Sequence, residues 1–389
     1  MIFKDSIIIG VIGGGSMGSG IAQVALMAGH NVILCDTSTF ALENAKANLY
    51  STFKKLQEKG KIQNADVLIN NITFSNTIDA LKDCGLIIEA IIEKLEVKQS
   101  LFKSLALIVN DTCVLASNTS SLSITSIAAS CAYPDRVIGL HFFNPAPLMA
   151  LVEVIPAIQT NTAFIDAAKN LMLKWGKTPV IAKDTPGFIV NRVARPFYGE
   201  ALRIFEEDIA DMVTIDYAMT QIGNFKMGPF TLMDYIGHDV NFVVTETVFQ
   251  AFYYDARYKP SFTQKRVLEA GWLGKKSGKG FYDYSTNSVQ HQPNTEPELL
   301  NIICERIVAM LINEAIDALY LKVATEADLE TAMTKGVNYP KGLFKWCDEL
   351  GSDYVLSLLD NLYNTYHEDR YRASVLLRKQ AETKSKFLQ

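Results

Sequence analysis

The sequence predicts an α/β domain with a doubly wound sheet, followed by an all-α half. Three observations predict it. Short β-branched runs alternate with amphipathic helical stretches over residues 1–184, a glycine-rich turn joins the first run to the first helix, and a helical pattern recurs after residue 185. At roughly 100–200 residues per domain, 389 residues make room for two or three domains. With 49% hydrophobic and 20% charged residues, wholesale disorder is excluded. The net charge of −5 and interspersed basic residues give no footprint for nucleic acid. No apolar stretch is long enough to span a membrane. The six cysteines are scattered, with no C-x-x-C and no nearby His, so we expect reduced thiols and no metal site. Met1–Asp5 runs into the first strand with no signal-peptide pattern, and the expected location is cytoplasmic.

The elements follow in order. Ile7–Ile12 suits a strand buried on both faces of a parallel sheet. Gly13, Gly14, Gly15, Ser16, Met17 and Gly18 come next, and Ile21–Met27 has helical spacing. G-x-G-x-x-G between strand and helix is the dinucleotide fingerprint of a Rossmann-like domain. Gly13 permits the tight turn, Gly15 admits a diphosphate to the backbone, and Gly18 lets helix and strand approach. A second strand, Asn31–Cys35, ends at Asp36, whose carboxylate can accept both adenosine-ribose hydroxyls and repel a 2′-phosphate. No Arg follows in Thr37–Phe40, so the expected cofactor is NAD and not NADP. A helix over 41–59, a strand over 86–92, a helix over 94–108 and a strand over 112–116 complete the alternation. Ligands of such sheets lie beyond the carboxyl ends of the strands. Glu93, Lys98 and the polar cluster Ser117–Ser121 occupy those ends. One residue of the cluster is expected to cap the helix before Ile124.

Two more strands, around Val137–His141 and Leu151–Ile155, flank Asn144, Pro145 and Pro147. The prolines let the chain double back and bring His141 to Glu153. A lone His beside aromatics is often structural. Its company with an acid at a nicotinamide site suits the base that an alcohol dehydrogenation needs. His30, His238, His291 and His367 lack such surroundings in the sequence and are expected to be structural or solvated.

Five motifs occur in order: Gly13–Gly18 with Asp36, Glu89–Glu93, Ser117–Leu122, Gly139–Pro145 and Asp184–Arg192. Together they resemble the L-3-hydroxyacyl-CoA dehydrogenase family, which includes 3-hydroxybutyryl-CoA dehydrogenases. The resemblance spans residues 5 to about 284 and continues more weakly to the C-terminus. It implies NAD-dependent interconversion of 3-hydroxyacyl-CoA and 3-oxoacyl-CoA, with acyl-CoA as the partner. It further implies His141 as catalytic base, Glu153 as its orienting partner, and Ser120 and Asn191 as contacts of the substrate's 3-oxygen and thioester region. Glu93, Lys98, Ser120, Asn144 and Lys276 would line the NAD site, and Thr52 and Lys59 would contact coenzyme A. For Lys59 the alternative is an ordinary solvated lysine among Lys54, Lys55 and Lys61. A sister dehydrogenase acting on a hydroxy acid or sugar acid without coenzyme A is the alternative activity.

Asp184-Thr-Pro-Gly187 is a breaker cluster and a natural domain boundary. We expect an NAD-binding domain over 1–184, a helical substrate domain over 185–290, and a second copy of the helical module over 297–389. With a shift of 114, residues 200–237 match residues 314–351 at 11 of 38 positions. The shift sets Glu305 opposite Asn191, so the copy lacks the substrate-contacting amide and is expected to be structural. The family's compact members dimerise through one such module. A second copy in the same chain would replace that partner and leave a monomer.

Overall fold

The protein is described by a computed structural model, which covers residues 3, 7–286 and 291–388. Part of the N-terminal segment and the expected module ends at 290 and 389 lie outside the described residues. The chain divides into two compact units, Met1–Thr185 and Pro186–Gln389.

The first unit is one sheet with helices on its faces. Its elements are β1 (Ile8–Ile12), α1 (Ser16–Met27), β2 (Asn31–Cys35), α2 (Thr39–Glu58), α3 (Ala65–Asn70), β3 (Ile72–Ser75) and β4 (Leu86–Glu89). There follow α4 (Leu95–Ile108), β5 (Val114–Ser117), α5 (Ile124–Ala128), β6 (Val137–Phe142), β7 (Leu151–Pro156), α6 (Thr162–Lys174) and β8 (Thr178–Ile181). The strand order is β3-β2-β1-β4-β5-β6-β7-β8. The β-branched runs lie where their pattern puts them, with Ile9, Val11, Leu86, Ile88, Val114 and Ala116 in the core.

The structure corrects the sequence expectation in three places. The sheet is not wholly parallel: β7 runs antiparallel to β6, and β8 follows β7. The link between β6 and β7 holds no crossover helix, and a parallel return needs one. β4 ends at Glu89, three residues earlier than expected. The Glu89 carboxylate accepts the Ile91 amide at 2.7 Å, which turns the backbone off the ladder. Elements α3, β3, α6 and β8 carry no strong pattern, and the sequence does not predict them.

The second unit holds α7 (Val190–Val193), α8 (Arg195–Glu206), α9 (Met212–Gln221), α10 (Pro229–Ile236), α11 (His238–Ala251) and α12 (Phe262–Glu269). After the 291–296 segment come α13 (Pro297–Tyr320), α14 (Glu326–Gly336), α15 (Leu343–Leu350), α16 (Ser352–Tyr366) and α17 (Val375–Thr383). Helix α13 is buried on nearly every side and packs against α8, α9, α15, α16 and α17. A helix of that kind belongs in the centre of a domain. Glycines with φ of +97° and +94°, Gly237 and Gly351, separate α10 from α11 and α15 from α16. Between the α7–α8 stretch and α13 the polar pairs are reciprocal. Arg192 Nε donates to Glu314 Oε1 at 2.6 Å, and Tyr258 OH reaches the same oxygen at 2.5 Å. Arg306 Nε donates to Glu200 Oε1 at 2.7 Å, and Tyr371 OH reaches it at 2.6 Å. All six cysteines are buried free thiols, and burial pushes each thiol up, Cys35 to about 11 and Cys84 to about 12.

Candidate active site

The glycine turn has the geometry its spacing demands. Gly13 sits at φ +111°, and a Cβ there would lie 2.5 Å from the Ala90 carbonyl. A Cβ on Gly18 would lie 1.8 Å from the Gly13 carbonyl, while nothing lies within 4 Å of one on Gly15. The turn is therefore closed towards the protein and open at Gly15, as a diphosphate approach requires. Gly15 caps α1 without a side-chain acceptor, which leaves Ser16 and Met17 at a helix start with its positive dipole end. Asp36 follows β2; its Oδ2 accepts the Gly14 amide at 2.6 Å and its Oδ1 the Ser38 amide at 2.8 Å. A cleft of about 1000 Å³ runs past Gly13, Gly15, Asp36, Ile78 and Ile92. These residues fit NAD: the backbone cradle suits its diphosphate, and each Asp36 oxygen retains a lone pair for a ribose hydroxyl.

Beyond the ends of β4 and β5 lies a network of buried charge. Lys98 is 1% exposed. Its Nζ stands 2.5 Å from Glu89 Oε1 and 3.2 Å from Glu93 Oε2. Glu89, fully buried, also takes Ser117 Oγ at 2.6 Å on its other oxygen. Glu93 Oε1 accepts the Thr119 hydroxyl at 2.6 Å and the Ser120 amide at 2.9 Å. Burial opposes ionisation of Glu93, but Lys98, Thr119 and the Ser120 amide outweigh it and hold the carboxyl below the usual range. Lys98 thus acts on its surroundings through Glu89 and Glu93. The sequence places Glu89 and Ser117 within longer motifs but gives neither a partner. The available signal was an acid in a strand buried on both faces, with a lysine nine residues on.

His141 and Glu153 are directly opposite on β6 and β7. Nδ1 and Glu153 Oε2 are 2.6 Å apart, with His141 5% exposed and Glu153 fully buried. Asn118 Oδ1 accepts the Phe142 amide at 2.8 Å and ties the loop after β5 to β6. The residue that caps α5 is Ser123, which accepts the Ser126 amide, not a member of the 117–121 cluster. Asp184 supports the same helix start by accepting the Ile124 and Thr125 amides at 3.0 and 2.7 Å. The cluster's hydroxyls are instead used in local turns and on Glu93.

Asn144, Gly14, Ser16 and Thr52 line a second cleft of about 540 Å³, beside α2. Lys59 is the exposed C-terminal cap of α2, two turns beyond Thr52 on the same face. Asn191 and Lys276 belong to the second unit, Asn191 on α7. Lys276 Nζ pairs with Asp239 at 2.5 Å. Among the other histidines, His238 is structural, as expected, but has an acid partner the sequence did not show: Asp234 Oδ1 stands 2.8 Å from its Nε2. Both residues are fully buried. Asp234 also takes the Phe281 and Tyr282 amides, so this pair ties down a loop. His30 bonds the Ile7 carbonyl, and burial lowers its pKa.

Comparison with known proteins finds likeness over both units of the chain. The profile of the 3-hydroxyacyl-CoA dehydrogenase NAD-binding domain matches residues 8–185. That of the 3-hydroxyacyl-CoA dehydrogenase C-terminal domain matches residues 187–284 and 302–386. The 3-hydroxyadipyl-CoA dehydrogenase of Escherichia coli is 37% identical, over 97% of this chain and 98% of its own. A probable 3-hydroxybutyryl-CoA dehydrogenase of Deinococcus radiodurans is 41% identical, over 71% of this chain and 99% of its own. The crystal structure of 3-hydroxybutyryl-CoA dehydrogenase from E. coli superposes with a TM-score of 0.92 at 37% identity, covering 97% of this chain and 98% of that one. Among the described residues no helix is long and apolar enough to cross a membrane. Matched along almost its whole length, the chain belongs to the 3-hydroxyacyl-CoA dehydrogenase family.

Proposed function

We propose that the chain interconverts (S)-3-hydroxyacyl-CoA and 3-oxoacyl-CoA, with His141 and Glu153 as its acid–base pair. The observation that carries this reading is the 2.6 Å contact between His141 Nδ1 and a fully buried Glu153 carboxylate. A carboxylate on Nδ1 fixes the tautomer that carries its proton there, so Nε2 is the atom that takes the hydroxyl proton. Glu153 then stabilises the imidazolium that forms. Ser120 and Asn191 donate to the 3-oxygen and balance its developing charge. NAD, when bound, supplies the hydride acceptor. Gly13–Gly18 hold its diphosphate and Asp36 its ribose, while Glu93, Ser120, Asn144 and Lys276 complete its site, with Lys98 holding Glu93. Thr52 and Lys59, on one face of α2, are the proposed coenzyme A contacts.

The relatives are named for 3-hydroxyadipyl-CoA and 3-hydroxybutyryl-CoA, and the proposal takes their common part. The test is NADH oxidation with acetoacetyl-CoA. Turnover at rates typical of enzymes supports the reading, and turnover of acetoacetate alone at an equal kcat/KM would replace it with a dehydrogenase indifferent to coenzyme A.

We further infer that residues 297–389 repeat the module of residues 185–290 and occupy the place of a partner subunit. Helices α10 and α15 are both eight residues long and lie 114 residues apart. The C-terminal-domain profile matches in both stretches. The Arg–Glu–Tyr contacts between the halves are reciprocal, as an isologous interface requires. This reading makes the chain a monomer.

A further inference from the structure

Arg195 opens α8, four residues after Asn191. It is 6% exposed, and among the described residues no carboxylate pairs with it. Its one hydrogen bond runs from Nη1 to Thr245 Oγ1 at 3.1 Å, and Nε is buried without a partner. A guanidinium has five N–H donors and stays charged in proteins. The other buried arginines of this unit, Arg192, Arg203, Arg306 and Arg370, each have a carboxylate within 3.6 Å. Burial depresses the basicity of Arg195, and the only groups that favour its charge are the phenols of Tyr198 and Tyr339. Tyr198 lies beneath the guanidinium at 4.9 Å. Tyr339 is 6% exposed, with a buried hydroxyl that has no partner. An unpaired buried cation and an idle donor beside it are the inventory of a site for an anion.

Packing does not account for either group. The residue 114 positions after Arg195 is Ala309, 1% exposed on the centre of α13. The residue 114 positions before Tyr339 is Phe225, which packs against Tyr339 with ring centroids 5.0 Å apart. At the related places a methyl group and a plain phenyl ring fill the core. The guanidinium and the hydroxyl are therefore additions to a helix packing that works without them.

We propose that Arg195, assisted by the Tyr339 hydroxyl, receives a carboxylate at the far end of the acyl chain, making a 3-hydroxy dicarboxylic acyl-CoA the preferred substrate. The inference rests on the reading of Asn191 as a contact of the substrate's 3-oxygen. Arg195 follows Asn191 by four residues, across the junction of α7 and α8 at Ala194, which keeps a helical backbone conformation, so the two stand about one turn apart. A turn advances about 5.4 Å, and three to four carbon–carbon bonds of an extended chain span about 4–5 Å. That span suits a carboxylate three or four carbons beyond C3, as in a six- or seven-carbon diacid. A methyl terminus would leave the cation unpaired.

The test compares kcat/KM for 3-hydroxyadipyl-CoA and 3-hydroxyhexanoyl-CoA, which have the same carbon count and differ at C6. The wild type should favour the diacid by roughly 10- to 100-fold, the worth of hydrogen bonds to a charged group. Arg195→Met should abolish that preference, Arg195→Lys should keep part of it, and Tyr339→Phe should reduce it. If Arg195→Met fails to fold, the wild-type ratio and Tyr339→Phe decide. Equal use of both substrates by the wild type, or a preference for the hexanoyl chain, would overturn the inference. So would a preference that survives Arg195→Met. Absence of NAD-dependent turnover with either substrate and with acetoacetyl-CoA would instead overturn the underlying dehydrogenase reading.

Discussion

Asp36 and Glu93 show how single side chains in the sheet unit set measurable behaviour. Both Asp36 oxygens accept backbone amides, so the carboxylate is held at the end of β2, where a 2′-phosphate would meet its charge. We expect kcat/KM with NADH to exceed that with NADPH; parity would remove the role assigned to Asp36. Glu93 supports a prediction in pH. Its folded pKa lies below the ordinary glutamate value of 4.5, so its ionised form favours the folded state. That contribution is complete above the unfolded value and is lost as pH falls through the folded one. Wild type should therefore exceed Glu93→Gln in urea midpoint at neutral pH, and the gap should close on acidification below the ordinary value. A gap constant with pH would show that Glu93 contributes by packing alone. Some of these residues were legible in the sequence and others were not. Asp36 follows its strand and glycine turn at fixed spacing. Glu89 and Asp184 act on partners 28 and about 60 residues away, and no local pattern carries such a pairing.

At the scale of elements, the β1–turn–α1 segment separates binding from folding. The space at Gly15 is open, whereas the Gly18 position is closed by the Gly13 carbonyl. Gly15→Ala should thus keep its Tm but weaken NADH binding. Gly18→Ala should lose roughly 1–3 kcal/mol of stability by overcrowding. Thermal melts with and without NADH measure both, and equal losses of Tm would contradict the division of labour. The same contrast explains what the sequence revealed of the fold. Strands β1, β2, β4 and β5 are apolar runs bounded by breakers, and their period suffices to find them. Strand β3 is four residues long with only Ile72 buried, too short and too polar to be told from a loop. The prolines after Asn144 predicted that the chain doubles back. That return also reverses β7, which the expectation of a parallel sheet left out.

At the scale of the whole molecule, the helical half depends on contacts between its two stretches. Glu314 accepts Arg192 and Tyr258, and all three are buried. Removing one partner of such a set costs about 3–5 kcal/mol, so Glu314→Leu should lower the unfolding free energy by that order. Truncation after residue 296 removes α13 and Glu314 together. It should give a chain that dimerises or aggregates in size-exclusion chromatography with light scattering. A soluble monomeric truncate would contradict the proposed replacement of a partner subunit. The proposed repeat rests on identities that recur at one constant shift. The reciprocal arginines were not, since Arg192 and Arg306 lie outside the matched window. The central claim is the chemistry of His141 and Glu153, and one measurement tests it most directly: kcat for acetoacetyl-CoA reduction by wild type and His141→Ala, with NADH affinity determined alongside. The account predicts a fall in kcat of roughly 10²- to 10⁴-fold with NADH binding nearly unchanged. A His141→Ala enzyme that folds, binds NADH and turns over at close to the wild-type rate would contradict it.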